Sequence, residues 1–331
     1  MGEFNYIFDQ NKLELGDILL IISDRGLSKQ MEERTGCKYH HAMIVVAYSS
    51  YIHSYGGGVQ SGNSARRTFE REDDVVALRL KSSSNEILIN ATNFVRRKIG
   101  TQYSSLRELL RAEMGLEVGA AEANRQFCSR LVAQAYAHAG VELVENPDYC
   151  TLQDLIASGE VEIISGILRI GNEDELEYAR EKSPILSKQE EIQSGIFEQA
   201  RVLCGTDIQT FEQLEDFLIT YPEFDEGAVA IIEQSGYLYQ WKEEMAKNPQ
   251  YYDYDAFIAS FPNEAHQAIA YKILGNYKSD LLNFSAEHSR WKASFKKHGL
   301  RYHEIHIDLI DNLIGMVVQR KEVMERILND F

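Results

Sequence analysis

The chain has 331 residues, 44% apolar and 10% aromatic with five prolines, which is enough to fill the cores of about two domains and excludes a disordered chain. Its formal charge of −17 is uneven, with 18 basic against 22 acidic residues up to residue 170 and 16 against 29 beyond it. No basic run supplies the charge that a nucleic acid or an anionic membrane surface demands, and no stretch approaches the roughly 20 apolar residues of a membrane span.

Residues 1–17 hold Glu3, Asp9 and Glu14 and no apolar run, so no secretory or transit signal is read. A cytoplasmic location is expected, unless a dedicated route exports the protein. Residues 17–23 are apolar and β-branched after Gly16 and read as a buried strand, and 28–34 as a short helix. Residues 41–47 and 51–55 are two tightly joined strands, Gly56-Gly57-Gly58 is a sharp turn, and 75–80 is a further strand. Ile87, Leu88, Ala91, Phe94 and Val95 recur at helical spacing within 85–98. Residues 104–114 and 125–139 read as helices too, and 161–170 as one or two closing strands. Residues 1–170 are therefore expected to form an α+β domain with a mainly antiparallel sheet. The polar stretch 171–190 reads as a linker, and 191–331 as an acidic all-α domain. Within it Phe217-Leu-Ile-Thr-Tyr-Pro222 echoes Phe257-Ile-Ala-Ser-Phe-Pro262. Two imperfect copies fit either a helical-hairpin repeat or two unrelated amphipathic helices.

Cys128 falls in the first turn of the helix predicted over 125–139, with Asn124 as the expected N-cap and Gly140 just past the end. Backbone N–H groups and the helix dipole there favour a thiolate and could hold an oxyanion. Leu131 and Val132 share its face, so the sulfur is expected to point inward, and plain core packing is the competing reading. A cysteine nucleophile needs a base, and His41 and His53 are the candidates. A two-residue hairpin loop at Ser49-Ser50 would put them on opposite faces, whereas a loop centred on Tyr48 sets 53 against 43 and leaves His53 diagonal to His41. His40 points away from His41. Cys37, Cys128, Cys150 and Cys204 are too widely spaced for a disulfide framework, and Cys37 beside His40 and His41 lacks the second pair of a zinc site, so no metal is expected. Gly56–Gly58 lacks the lysine of a phosphate loop. Arg66-Arg67 and Arg96-Arg97-Lys98 are solvated faces or contacts for an acidic substrate group.

The order Gly16-Asp-Ile-Leu, Tyr39-His-His41-Ala-Met-Ile-Val-Val, Tyr51-Ile-His53-Ser, Gly100-Thr-Gln-Tyr103 and Phe127-Cys128-Ser-Arg-Leu-Val resembles the permuted papain-like hydrolases. These YiiX/YaeF-type relatives of the NlpC cell-wall peptidases place the histidine before the cysteine, as do the lecithin:retinol acyltransferase-like enzymes. The resemblance spans roughly residues 14 to 165. It implies Cys128 as nucleophile, His41 as general base and His53 as the orienting third residue, where YiiX-type proteins often carry a carboxylate. Tyr39 and Tyr103 would line the substrate pocket, although Tyr103 reads equally as a core residue. No cofactor is implied.

Three functions follow as expectations. The first is a cysteine amidase or peptidase forming an acyl-enzyme on Cys128. The second is lipid acyl transfer or thioester hydrolysis, which the histidine pair favours. In the third the first half is a scaffold and the helical half binds a protein partner. The substrate would be a peptide or an acyl compound.

Overall fold

In a computed structural model, residues 4–22, 32–33, 36–104, 124–181 and 184–330 are described. Most of the helices expected over 28–34 and 104–114 lie outside the described residues. The chain divides into two units, Met1–Glu190 and Glu191–Phe331.

In the first unit the apolar, β-branched runs become a six-stranded antiparallel sheet of β2 (Ile18–Ile21), β3 (His41–Ala47), β4 (Ser50–Tyr55), β5 (Gly58–Asn63), β6 (Val75–Leu80) and β7 (Val161–Ile164). The order is β5-β4-β3-β2-β6-β7. β3 lies inside the sheet and is buried on both faces, which explains a run with no polar residue after His41. Ala42, Ile44 and Val46 face a core built with helices α1 (Asn85–Arg97) and α2 (Cys128–His138). Met43 and Val45 face a second core with Phe8, Phe69 and Ile167. The expected closing strands are two strands in different sheets. β7 joins the main sheet, whereas β8 (Leu168–Ile170) pairs with β1 (Tyr6–Phe8), a strand too short to show in the sequence pattern.

The expected linker holds helix α4 (Glu173–Arg180), which follows the short helix α3 (Leu152–Ala157) and strands β7 and β8. Asn172 and Glu175 form a capping box at its start, and Leu176 and Ala179 bury themselves against Ile7. A mostly charged surface hid this helix, because two apolar side chains suffice to dock it.

The second unit is helical throughout its described residues, as expected. α5 (Pro184–Cys204), within which the division falls, is followed by α6 (Phe211–Thr220), α7 (Asp225–Ser235), α8 (Gln240–Lys247) and α9 (Tyr254–Ser260). Two long helices close it, α10 (His266–His298) and α11 (Arg301–Asp330), with Gly299 at a φ of +68° ending the first. The sequence echo marks one local device used twice. In each copy a phenylalanine carbonyl, of Phe217 or Phe257, closes the helix, and a proline leads through a short 3-10 turn into the next one.

Candidate active site

Helix α2 starts at Cys128, with extended Phe127 as its N-cap. Asn124 is not the cap. Residues leading into the helix are extended because Gln126 pairs with the segment after α1: its N–H donates to the Gln102 carbonyl and its carbonyl accepts from Ser104 N–H. Phe127 has no side-chain acceptor for the first-turn N–H groups, so these remain available to the site. The backbone N–H groups of Ala42, Ser129 and Cys128 itself are directed at the sulfur and favour its ionised form, but burial outweighs them and pushes the thiol up. Cys128 is therefore a neutral thiol at rest, against the thiolate that the helix dipole alone led one to expect.

The helix is fixed from several sides. Tyr136 donates its hydroxyl to the Gly16 carbonyl, and Ser129 donates to the Cys150 carbonyl at 2.6 Å. Arg130, almost fully buried, donates to the carbonyls of Asp148 at 2.8 Å and Arg125 at 3.0 Å and stacks over Phe127. Asp17, beside Gly16, is buried and holds Arg79 through both carboxylate oxygens at 2.8 Å.

The β3–β4 register sets Met43 against His53 and Val45 against Tyr51, with an irregularity before Ala47. This is the register of a loop centred on Tyr48, and Ser49 in that loop takes a φ of +54°. His53 lies diagonal to His41, and His41 Nε2 and His53 Nδ1 are 2.7 Å apart. Both imidazoles are buried, at 7% and 8% exposure. By alternation they share the face of Met43 and Tyr51, whereas Cys128 packs with Ala42 and Ile44 on the other. The end of β3 links the two, since Ala42, whose N–H is directed at the sulfur, follows His41 directly.

Burial is the main cause that holds both histidines neutral. His41 is pushed well down by burial, then by His53, Arg67 and His40, and His53 is pushed down to about 3 by burial and Arg67. The groups acting on the pair are thus cations and imidazoles. His40, outside the pair, is half-buried, and its N–H donates to Ile21.

Tyr55 escaped the sequence reading. Its ring centre is 5.8 Å from that of His41 and 6.3 Å, stacked, from that of His53. Tyr51 meets His53 edge-on at 5.2 Å, and Arg67 Nε donates to the Tyr51 hydroxyl at 2.8 Å. The alternation Tyr51, His53, Tyr55 along β4 was the available signal. Tyr103 has its hydroxyl pushed up by burial and then by the charges of Cys128 and Tyr55. Tyr39 packs against the core of the α1 and α2 face, with Lys38 5.2 Å from its ring centre. The Gly56–Gly58 turn joins β4 to β5, and a Cβ on Gly58, at a φ of +102°, would stand 2.4 Å from the Thr101 carbonyl oxygen. All four cysteines are free, and Cys37 and Cys150 are buried. Among the described residues no three His, Cys, Asp or Glu side chains converge on a metal position.

Residues 12–167 match the permuted papain-like amidase enzyme family, YaeF/YiiX, C92. The first unit is a permuted papain-like domain. That family is one of amidases and peptidases, which supports a hydrolase-type function for the domain. Among solved structures, the crystal structure of metalloprotein yiiX from Escherichia coli O157:H7 is similar over 46% of this chain and 97% of that one, at 15% identity and a TM-score of 0.31. No curated protein matches the chain.

Proposed function

We propose that this domain is a cysteine-dependent amidase in which Cys128 attacks the carbonyl carbon and His41 takes the thiol proton. The observation that carries the reading is the 2.7 Å contact from His41 Nε2 to His53 Nδ1, one residue from the N–H that meets the Cys128 sulfur. A proton on His41 Nε2 donated to His53 leaves His41 Nδ1 as the free base. Thiol and imidazole are both neutral at rest, so the proton moves as the C–S bond forms, and a standing ion pair is not required. The first-turn N–H groups of α2 receive the developing oxyanion. His41 then protonates the leaving amine. Water, deprotonated by His41, hydrolyses the acyl-enzyme and restores the thiol.

A histidine in the third position also favours a second reading, in which the same attack falls on a lipid ester or thioester and the acyl group passes to another acceptor. One experiment separates the two. The full chain is incubated with fluorogenic N-acyl peptide amides and, in parallel, with long-chain acyl thioesters, and the acylated residue is located by mass spectrometry. Amide turnover with an adduct on Cys128 that Cys128→Ala abolishes is the expected result. An adduct from the long-chain substrates alone selects the second reading, and amide turnover that survives Cys128→Ala overturns cysteine dependence.

A further inference from the structure

The adjacent arginines Arg66 and Arg67 are spent differently. Arg66 donates to the carbonyls of Tyr178 at 3.2 Å and Glu181 at 2.9 Å and stacks over the Tyr178 ring at 4.0 Å, so it is used up in holding α4. Arg67 donates from Nε to the Tyr51 hydroxyl at 2.8 Å. Among the described residues its two terminal nitrogens have no hydrogen-bond partner and no carboxylate pairs with it, in a chain of 51 acidic residues. The residue is half-buried, and neither terminal nitrogen is sealed from solvent.

The place of Arg67 gives its free end a use. Its Cζ lies 5.4 Å from the Tyr51 ring centre, and the same ring meets that of His53 at 5.2 Å, so one side chain separates the guanidinium from the histidine pair. Tyr51 is 3% exposed, and its ring lies against Gly62 of β5, where a Cβ would stand 2.2 Å from it. The tyrosine is thus held in place and holds Arg67 in turn. A cation there works against the proposed chemistry, because its field disfavours the imidazolium that His41 must become. The base loses strength unless an anion arrives with the substrate and cancels that charge.

We infer that Arg67 is the specificity-determining residue of this site and takes a carboxylate of the peptide, so that the preferred substrates are amides with an acidic residue near the cleaved bond. With Nε occupied, the two terminal nitrogens form the remaining fork, which matches the two oxygens of a carboxylate. One guanidinium balances the single charge of a carboxylate and leaves a phosphate monoester under-compensated. The substrate then brings the counter-ion that the histidine pair lacks, and the base gains strength only when the matching substrate is bound. The inference rests on the amidase reading, and a binding measurement separates the two.

The test uses acetylated, amidated Gly-Ala peptides with a single Glu or Gln walked along them, so that the glutamate holds the only carboxylate. Cleavage by the full chain is followed by mass spectrometry. At the best position the Glu peptide is expected to exceed its Gln isostere about ten-fold or more in kcat/KM, a preference that falls to about one in Arg67→Met and survives in part in Arg67→Lys. Equal rates on the two peptides in the wild type, an unchanged preference in Arg67→Met, or a phosphoserine peptide cleaved ahead of the Glu peptide overturns the inference. Each preference is a ratio measured on one protein, so it does not depend on how much of a variant folds. Calorimetric titration of Cys128→Ala with the same peptides needs no turnover. Binding of the Glu peptide about ten-fold tighter than the Gln peptide, lost in Arg67→Met, supports the carboxylate site even where neither is cleaved and the amidase reading fails. Equal cleavage and equal binding leave the amidase reading standing and overturn the role of Arg67, and no binding of either peptide at about 5 mM together with no cleavage overturns both.

Discussion

Each unit buries a pair of histidines, and the two pairs live in different electrostatic surroundings. In the helical unit His303 lies 3.1 Å from the Glu215 carboxylate, which also pairs with Arg290 at 2.7 Å. His306 donates to the Tyr302 carbonyl at 2.7 Å and stacks on Trp291 at 4.4 Å. Glu215 is held down at about 2: burial opposes this, and hydrogen bonds from His303, Ser294 and Arg290 overcome it. That cluster has its counter-charges built in and serves to hold helices together. In the sheet unit the histidines have each other and Arg67, and His41 opens β3 just before Ala42, whose N–H is directed at the sulfur of an uncapped helix. A buried base without a counter-ion is a poor stabiliser and a usable proton acceptor.

The strongest way to break this contrast is to remove one histidine of the sheet unit. His41→Ala is expected to lower kcat/KM on the amide substrate by about 10³-fold while the melting temperature changes little, since general-base contributions run from roughly 10² to 10⁴. In the wild type the acidic limb of kcat/KM should lie well below the ordinary histidine value of about 6.5, because burial keeps His41 neutral there. A limb at or above 6.5 would remove the neutral-base account.

The opposite substitution affects stability and spares activity. Glu215→Ala strips the carboxylate from Arg290 and His303 and should cost about 3 kcal/mol in urea unfolding of the helical unit, with hydrolysis unchanged. The pH dependence has a definite sign. Glu215 has a folded value of about 2, below the roughly 4.3 of an unfolded glutamate, so its contribution is complete above pH 4.3 and lost as pH falls towards 2. Glu215→Gln should flatten the stability profile across that window.

His53 lies between these cases. His53→Phe keeps a buried ring and removes the acceptor for His41 Nε2, so a drop of about 10- to 100-fold in kcat is expected with KM little changed. Its folded value, about 3, is also below its unfolded one, so the wild type loses stability as pH falls from about 6.5 to 3, and the phenylalanine variant should lose less. A kcat equal to wild type would reduce His53 to packing.

How far the sequence foretold this site depended on the kind of signal. The order of elements in the sheet unit followed from β-branched runs and helical spacing, and the helix start at 128 was approached to within three residues. The register of β3 against β4 was reduced to two alternatives and no further, because it turns on Ser49 taking a positive φ, which serine does not announce. β1 and β8 are three residues each and pair across 160 residues of chain, beyond any local pattern. The protonation state of Cys128 was misjudged because a helix dipole is visible in sequence and burial is not.

The smallest effects return to helix starts, with two capped helices of the helical unit set against α2 of the sheet unit. α6 and α9 are capped by Thr210 and Asp253, whose side chains accept from the N–H groups of Gln213 at 3.2 Å and Ala256 at 2.8 Å. Thr210→Ala and Asp253→Ala should each cost about 1 kcal/mol of stability and leave hydrolysis untouched. At α2 there is no such side chain, and two of the first-turn N–H groups are directed at the Cys128 sulfur. Cys128→Ala should therefore change unfolding free energy by an amount of the same order, about 1 kcal/mol, while abolishing activity. If all three variants moved stability alike and only Cys128→Ala touched turnover, the uncapped start of α2 would be established as a functional feature. Equal loss of turnover in the Thr210 variant would place part of the hydrolytic apparatus in the helical unit.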